Sequence, residues 1–251
     1  MYPLTNIYRY PVKGLAAEVL ARVALSLGEG LPHDRAFAFA KEPTAFDPAV
    51  PKYLFKSSFL QLMQHEKLIG LRPNWDGTSG ILAVVDEHGA KVQAKLGDAA
   101  AEQALANFVA ARLGPDLAAP VRLVHAAGHC FGDCGAKVVS LIGLASLRAL
   151  AKADGGAIDP LRFRANIYFD GAPAWAEFDW SGREIAIGAA RLKVLDPIGR
   201  CAATNVDPVS GRRDRNLPKA LHLNFGHADM GVYATVIGGG EIAIGDAIRL
   251  A

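Results

Sequence analysis

Three cysteines and a set of cations at turn-like junctions are the residues here whose types can do chemistry. Cys201 lies in Asp196-Pro197-Ile198-Gly199-Arg200-Cys201-Ala202-Ala203-Thr204, just after a strand-like stretch. The thiolate is the nucleophile and the soft-metal ligand, and a guanidinium beside it, here Arg200, favours that form. The same local pattern equally suits an inert buried thiol, because free cysteine packs as a small hydrophobe. Cys130 and Cys134 fall in His125-Ala126-Ala127-Gly128-His129-Cys130-Phe131-Gly132-Asp133-Cys134. Two His and two Cys within that span invite a zinc reading, but the spacing is not that of a structural zinc finger and no second ligand pair comes after it. A C-x-x-x-C pair can also oxidise reversibly.

The cations cluster differently. Lys13 follows Pro11-Val12, Arg35 follows Pro32-His33-Asp34, and Arg162 and Arg164 lie two residues apart on one side of an extended segment that leads to Asn166. Guanidinium forks and ammonium groups suit phosphate and planar polar ligands. Each alone reads as a solvated surface charge. Together, at junctions where loops display side chains, they read as binding groups. Gly238-Gly239-Gly240 is no phosphate loop, since no helix pattern succeeds it, and a tight hairpin is the expected assignment. No Gly-x-Ser-x-Gly elbow and no His-Glu-x-x-His occurs.

The elements that must position these groups are mostly strands. Val19 to Leu25 and Ala36 to Ala40 read as strands, and Pro43, Pro48 and Pro51 mark a surface loop after the second of them. A helix is expected after Asp98, with Leu105, Phe108, Val109 and Leu113 on one face and Gly114-Pro115 as its stop. Val121–His125 and Val138–Ile142 read as strands, with a short helix from about Leu144 to Ala153. From Asn166 onward the pattern is almost all β. Glu184-Ile185-Ala186-Ile187-Gly188 recurs as Glu241-Ile242-Ala243-Ile244-Gly245, each with a second alternating stretch after it, so two similar hairpins are expected.

Composition excludes several classes. The 251 residues should bury about 70–75% of their unfolded surface without disulfides. A net charge of +2 is too balanced for a protein built to grip a nucleic-acid backbone. The longest apolar run, Val138 to Leu147, is about half a bilayer span, and the first residues lack a signal-peptide pattern. An odd cysteine count excludes a complete disulfide framework, so the expectation is a cytoplasmic protein with no membrane and no nucleic-acid partner.

Taken in order, several segments resemble the MOSC-domain proteins, named for the C-terminal domain of molybdenum cofactor sulfurase. Ile7-Tyr8-Arg9-Tyr10-Pro11-Val12-Lys13-Gly14-Leu15 and Gly28-Glu29-Gly30-Leu31-Pro32-His33-Asp34-Arg35 resemble the β-barrel domain that precedes MOSC. Arg164-Ala165-Asn166-Ile167, Ile198-Gly199-Arg200-Cys201, Thr204-Asn205-Val206-Asp207-Pro208, Gly231-Val232-Tyr233-Ala234 and Gly245-Asp246 resemble MOSC itself. The resemblance implies a mixed, β-rich fold: a smaller α+β N-terminal domain over residues 1–117 and a MOSC-type β-barrel over 118–251. It also implies a molybdenum cofactor (Mo-molybdopterin) in a cleft between the two. Cys201 matches the family's molybdenum-ligating cysteine. Lys13, Arg35 and Arg164 match its cofactor-holding cations, with Asn166 a hydrogen-bond partner for pterin or phosphate. Arg200 and Tyr233 match further lining positions, and Ser140 and Ser146 align more loosely. Gly14 stands where many relatives carry Ser, and the segment from His129 to Cys134 is not cysteine-rich in relatives.

The resemblance extends to the amidoxime-reducing components, which implies reduction of N-hydroxylated or other N-oxygenated small molecules at molybdenum. Some bacterial relatives carry a ferredoxin domain, whose cluster needs four cysteines. Only three are present, so electrons are expected from a separate partner, a ferredoxin- or flavin-type reductase. Two alternatives stand beside this reading: a cofactor carrier without turnover, and a sulfur-transfer protein using a Cys201 persulfide. Pyridoxal phosphate binding, ascribed to the family, would need a Schiff-base lysine, and Lys13 is better explained as a phosphate contact.

Overall fold

The structure is a computed structural model that describes residues 1–117 and 119–250. The expected division at 117/118 thus abuts Ala118, which with Ala251 lies outside the described residues. In chain order the strands begin with β1 (Tyr2–Arg9), β2 (Glu18–Leu20), β3 (Arg22–Leu25), β4 (Phe37–Lys41), β5 (Arg72–Asp76), β6 (Ile81–Val85) and β7 (Lys91–Lys95). Next come helix α1 (Ala99–Leu113), β8 (Val121–His125), β9 (Val139–Gly143), α2 (Leu144–Ala153) and β10 (Ile167–Phe169). The last third holds β11 (Glu184–Ile187), β12 (Ala190–Gly199), α3 (Leu217–Phe225), β13 (Asp229–Gly238), β14 (Gly240–Ala243) and β15 (Ala247–Leu250).

Seven strands close into a barrel in the order β1, β10, β9, β13, β12, β11, β15 and back to β1. Only β9 and β10 pair in parallel. Closure removes the exposed edges that would otherwise template aggregation. In β12 the alternation is plain: Ala190, Leu192 and Val194 point inward, while Arg191 and Lys193 face water. Those inward side chains join Ile185, Val232, Ala234 and Ile248 in the barrel core.

Beside the barrel, α1 packs on the β5–β6–β7 meander and on the β4–β8 pair. Asp98 caps α1 by accepting from the Ala100 and Ala101 amides, both at 3.1 Å, as its position before the periodic stretch predicted. Gly114 ends the helix at φ 69°. Leu105, Val109 and Leu113 bury against Leu82, Val84, Val121 and Leu123. Each such apolar side chain contributes about 1.5–3 kcal/mol relative to exposure.

Chain order and packing do not run in parallel. Strand β1 belongs to the barrel formed by the C-terminal half, and β8 pairs with β4 of the N-terminal half. The mixed, β-rich class expected from sequence is the one observed, with seven barrel strands and three α-helices among the described residues. No helix among the described residues is long and apolar enough to cross a membrane.

Three local expectations need correction. The first Glu-Ile-Ala-Ile-Gly copy is a hairpin, β11–β12, but the second is not: β14 pairs with β3, and β15 with β11 and β1. The cause is Asp246, whose carboxylate accepts from the Ala243 amide while its carbonyl accepts from the Leu4 amide, at 2.8 Å each, carrying β15 over to β1. Gly238-Gly239-Gly240 is likewise no tight hairpin. A Cβ on Gly240 would lie 2.5 Å from the Ala189 carbonyl carbon, so glycine is needed there for a close backbone crossing. Finally, the almost-all-β C-terminal half contains α3, which the Asn216 side chain caps by accepting from the Lys219 amide and Gly226 stops at φ 78°.

Candidate functional site

A cleft of about 350 Å³ opens where the barrel meets the N-terminal body. Its N-terminal wall starts at Lys13, placed by a parallel bridge between Val12 and Phe37 and by its own amide on the Phe37 carbonyl at 2.8 Å. Gly14 then turns the chain at φ 85°, a conformation that strains any L side chain. The turn aims Lys13 into the cleft. Lys13 is only 6% exposed, and its Nζ donates to the Phe131 carbonyl at 2.9 Å and to the Asp133 carboxylate. Burial pulls its pKa below the usual lysine range, and Asp133 opposes that pull.

Arg35 and Arg164 meet at Tyr10. Their guanidinium carbons lie 4.4 and 4.3 Å from the Tyr10 ring centroid, within cation–π range. Both residues hold left-handed backbones, φ 50° and 53°, uncommon for arginine and a mark of local over-determination. The Arg35 turn is tied by its amide to the Tyr10 carbonyl at 2.7 Å, and Asp34 accepts from the Tyr10 amide at 2.8 Å. Arg35 also donates to the Asp34 carboxylate and, at 2.8 Å, to the Arg164 carbonyl. Burial works against the Arg35 charge, but Asp34 more than offsets it and the pKa rises. Among the described residues Arg164 forms no ion pair, though Asp34 and Asp133 act on it at longer range. Burial lowers its pKa to about 10, and its buried Nη1 makes no hydrogen bond.

The barrel supplies the other wall. Tyr233 on β13 sits opposite Ser140 on β9, and burial raises its phenol pKa so that it keeps its proton at neutral pH. Arg200 donates to the Phe163 carbonyl at 2.9 Å and twice to the Met230 carbonyl, with no carboxylate beside it, and burial lowers its pKa. Cys201 begins the tight turn after β12, with its carbonyl accepting from the Thr204 amide and hydroxyl at 3.1 and 3.0 Å. Its half-buried thiol, outside any disulfide, lines the cleft. Lys13, Arg35, Arg164, Asn166, Arg200, Cys201, Tyr233 and Ser140 thus share one cavity.

Two of the expected binding residues are largely taken up by the fold. Asn166 Oδ1 accepts from the Ser140 amide and hydroxyl at 3.1 and 2.8 Å, and Nδ2 donates to the Tyr8 carbonyl at 3.2 Å. The pair clamps β9, β10 and β1 at the cleft floor. Ser146 is a correction, because it does not reach the cleft. Fully buried on α2, its hydroxyl donates to the Glu177 carboxylate at 2.9 Å and accepts from the Trp175 amide at 2.8 Å. It is fixed by that buried carboxylate, whose pKa burial raises.

The segment from His129 to Cys134 turns out to be a wall of the cleft. Cys130, Phe131, Asp133 and Cys134 all line the cleft. Sequence could not pair Asp133 with Lys13, 120 positions away. Cys130 Sγ donates to the Asp34 carbonyl, Cys134 Sγ to the Ala136 carbonyl, and His125 Nε2 faces Glu102. Among the described residues no three His, Cys, Asp or Glu side chains converge as a metal site.

Residues 126–249 match the MOSC domain family. The chain carries a MOSC domain. That domain brings Arg164, Asn166, Arg200, Cys201 and Tyr233 to the cleft, and the residues preceding it bring Lys13 and Arg35. Among curated relatives, human molybdenum cofactor sulfurase is 39% identical over 72 residues, covering 26% of this chain and 8% of that protein. Mitochondrial amidoxime-reducing component 1 of Xenopus laevis is 33% identical over 94 residues, covering 38% of this chain and 27% of that protein. The chain spans less than a third of the length of these relatives. Among solved structures, the YUAD protein of Bacillus subtilis covers 99% of this chain and 94% of its own at 13% identity and a TM-score of 0.48. YiiM of Geobacillus stearothermophilus covers 45% and 53% at 21% identity and a TM-score of 0.36.

Proposed function

We propose that the cleft binds the molybdenum cofactor and that the protein reduces N-oxygenated small molecules there, with electrons from a separate partner such as a ferredoxin- or flavin-type reductase. The observation that carries this reading is the unpartnered, buried Arg164 Nη1, in a cavity that also holds Lys13, Arg35 and the Cys201 thiol. An unpaired buried guanidinium donor invites an anion, and a thiolate is a soft ligand for molybdenum. The donor set therefore fits a group with a phosphate at one end and a metal at the other. When bound, that group would supply the two-electron chemistry that, with two protons, converts an N-hydroxylated compound to its amine and water.

The chain's own residues bind, orient and donate. Arg164 and Lys13 hold the phosphate, and Arg35 fixes the Arg164 backbone through its carbonyl. The Cys201 thiol, a soft donor, would hold the metal end. Tyr233 keeps its proton and presents an O–H donor to the substrate side. Asp133, already on Lys13, must yield part of that contact when an anion enters.

A second reading, sulfur transfer through a Cys201 persulfide, draws on three free thiols, Cys130, Cys134 and Cys201, lining one cavity. A carrier without turnover uses the same contacts as the reductase. Metal analysis of protein from molybdate-fed cells, with subsequent turnover of an amidoxime by a chemical reductant, separates the three. Near-stoichiometric molybdenum with turnover supports the reductase, and molybdenum without turnover supports the carrier. No molybdenum but a sulfur-mass adduct on Cys201 overturns both in favour of sulfur transfer.

A further inference from the structure

One arginine that does not itself line the cleft ties its two walls together. The Arg213 guanidinium reaches three backbone carbonyls and a carboxylate. Nη1 donates to the Ala202 carbonyl at 3.1 Å, and Nη2 to the Leu62 and Met63 carbonyls at 2.9 and 2.8 Å. Nε donates to the Glu66 carboxylate at 3.2 Å. Leu62 and Met63 belong to the N-terminal wall of the cleft, whereas Cys201, Ala203 and Thr204 line it from the turn after β12. We propose that Arg213 is a positioning residue for Cys201, holding the turn that carries the thiol in one place against the N-terminal body.

Packing around the turn points the same way. Cys201 follows directly on a barrel strand, but the residues after it bury elsewhere. Val206 is 1% exposed within the apolar cluster that holds Val12, Leu15 and Leu60, and Ala203 packs against that cluster. The backbone of Cys201 is thus anchored by the barrel on one side and by the N-terminal core on the other. Arg213 is itself held firmly. It bridges Val206, and the Asp207 amide donates to the Arg212 carbonyl at 2.8 Å. The Arg162 side chain, 3% exposed, donates to the Asn205 carbonyl at 3.1 Å, to Asp207 at 2.7 Å and to Asp214 at 2.8 Å. Arg162 is therefore engaged in fixing the segment that presents Arg213. A guanidinium suits the bridging task because its planar fork of donors reaches carbonyls on two sides at once, whereas an ammonium is a point charge. Without that fork the Ala202 carbonyl, one residue past the thiol, is released from the N-terminal wall. The consequence for catalysis rests on the proposed function, since a ligand held at both ends needs a fixed spacing between Cys201 and the cations. The positioning itself does not depend on which ligand the cleft takes.

Alkylation of the full chain by iodoacetamide, read for each cysteine by peptide mass spectrometry, tests it. Protein from molybdate-starved cells serves, so a failure here is distinct from a failure of the molybdenum reading. Arg213→Ala should raise the Cys201 rate about fivefold or more, because the turn opens more often, while Cys134 stays within about twofold. The Arg213 side chain is 31% exposed, so its loss should leave the fold intact. Arg213→Lys keeps the charge without the fork and should still raise the Cys201 rate about threefold. A Cys201 rate in Arg213→Ala within about twofold of the native one would overturn the proposal. So would an equal rise at Cys130, Cys134 and Cys201, which means general loosening, or full rescue by lysine, which means a charge effect alone.

Discussion

Two cavities, the cationic cleft and a second one lined by His33, Trp75, His125 and the Glu29–Lys137 pair, share Asp34, Cys130 and Val138 as a partition and differ in charge. The cleft concentrates cations: among the described residues Arg164 and Arg200 form no ion pair, and the buried Lys13 pairs with Asp133. The second cavity cancels its charges and keeps aromatic rings. Burial drives both outcomes. Removing water penalises unpaired charge, so a cationic cavity persists only where the fold fixes its guanidiniums by backbone carbonyls and stacking, as at Tyr10. Where no such framework exists, neutral imidazoles and an indole line the wall instead.

That contrast can be broken in graded steps. Cys201→Ala should abolish amidoxime turnover with a chemical reductant, the largest effect, while leaving denaturant stability within about 1 kcal/mol. Arg164→Ala should weaken sulfate binding by about ten- to a hundredfold, the range expected for one charge-assisted donor lost from a buried site. Wild-type sulfate affinity should fall as pH rises, because Lys13 gives up its proton below the usual lysine range. In Asp133→Asn the fall should begin at lower pH, since the carboxylate that favours the Lys13 charge is gone, and an unchanged profile would remove Lys13 from the anion site.

Ser146→Ala belongs to neither cavity and sharpens the comparison from outside. It should cost about 1–3 kcal/mol in denaturant unfolding by leaving Glu177 without its hydroxyl donor, with turnover unchanged. Smallest of all, Lys137→Ala should change stability by less than about 1 kcal/mol, as an exposed ion pair contributes little.

Much of the local structure was readable in single segments. Asp98 and Gly114 bracket α1, and the alternation in β12 names its inward face. The signals for α3, Asn216 and Gly226, are equally local and were present in the sequence. The β14–β15 segment was misleading because one side chain, Asp246, redirects it onto β1, which no repeat pattern encodes. The cations of the cleft were recognisable as types, but Asn166 and Ser140 pair with each other, and Ser146 faces away on α2.

What the sequence alone determined is the chemistry on offer: an isolated thiol after a strand, arginines and a lysine at turns, and elements whose periodicities arise from short-range backbone and side-chain preferences. Only the tertiary structure decided which of those groups meet. Contacts such as Lys13 with Asp133, or Arg35 with Arg164, join residues more than a hundred positions apart. They form when barrel closure and core burial bring distant strands together, and no local pattern carries that information.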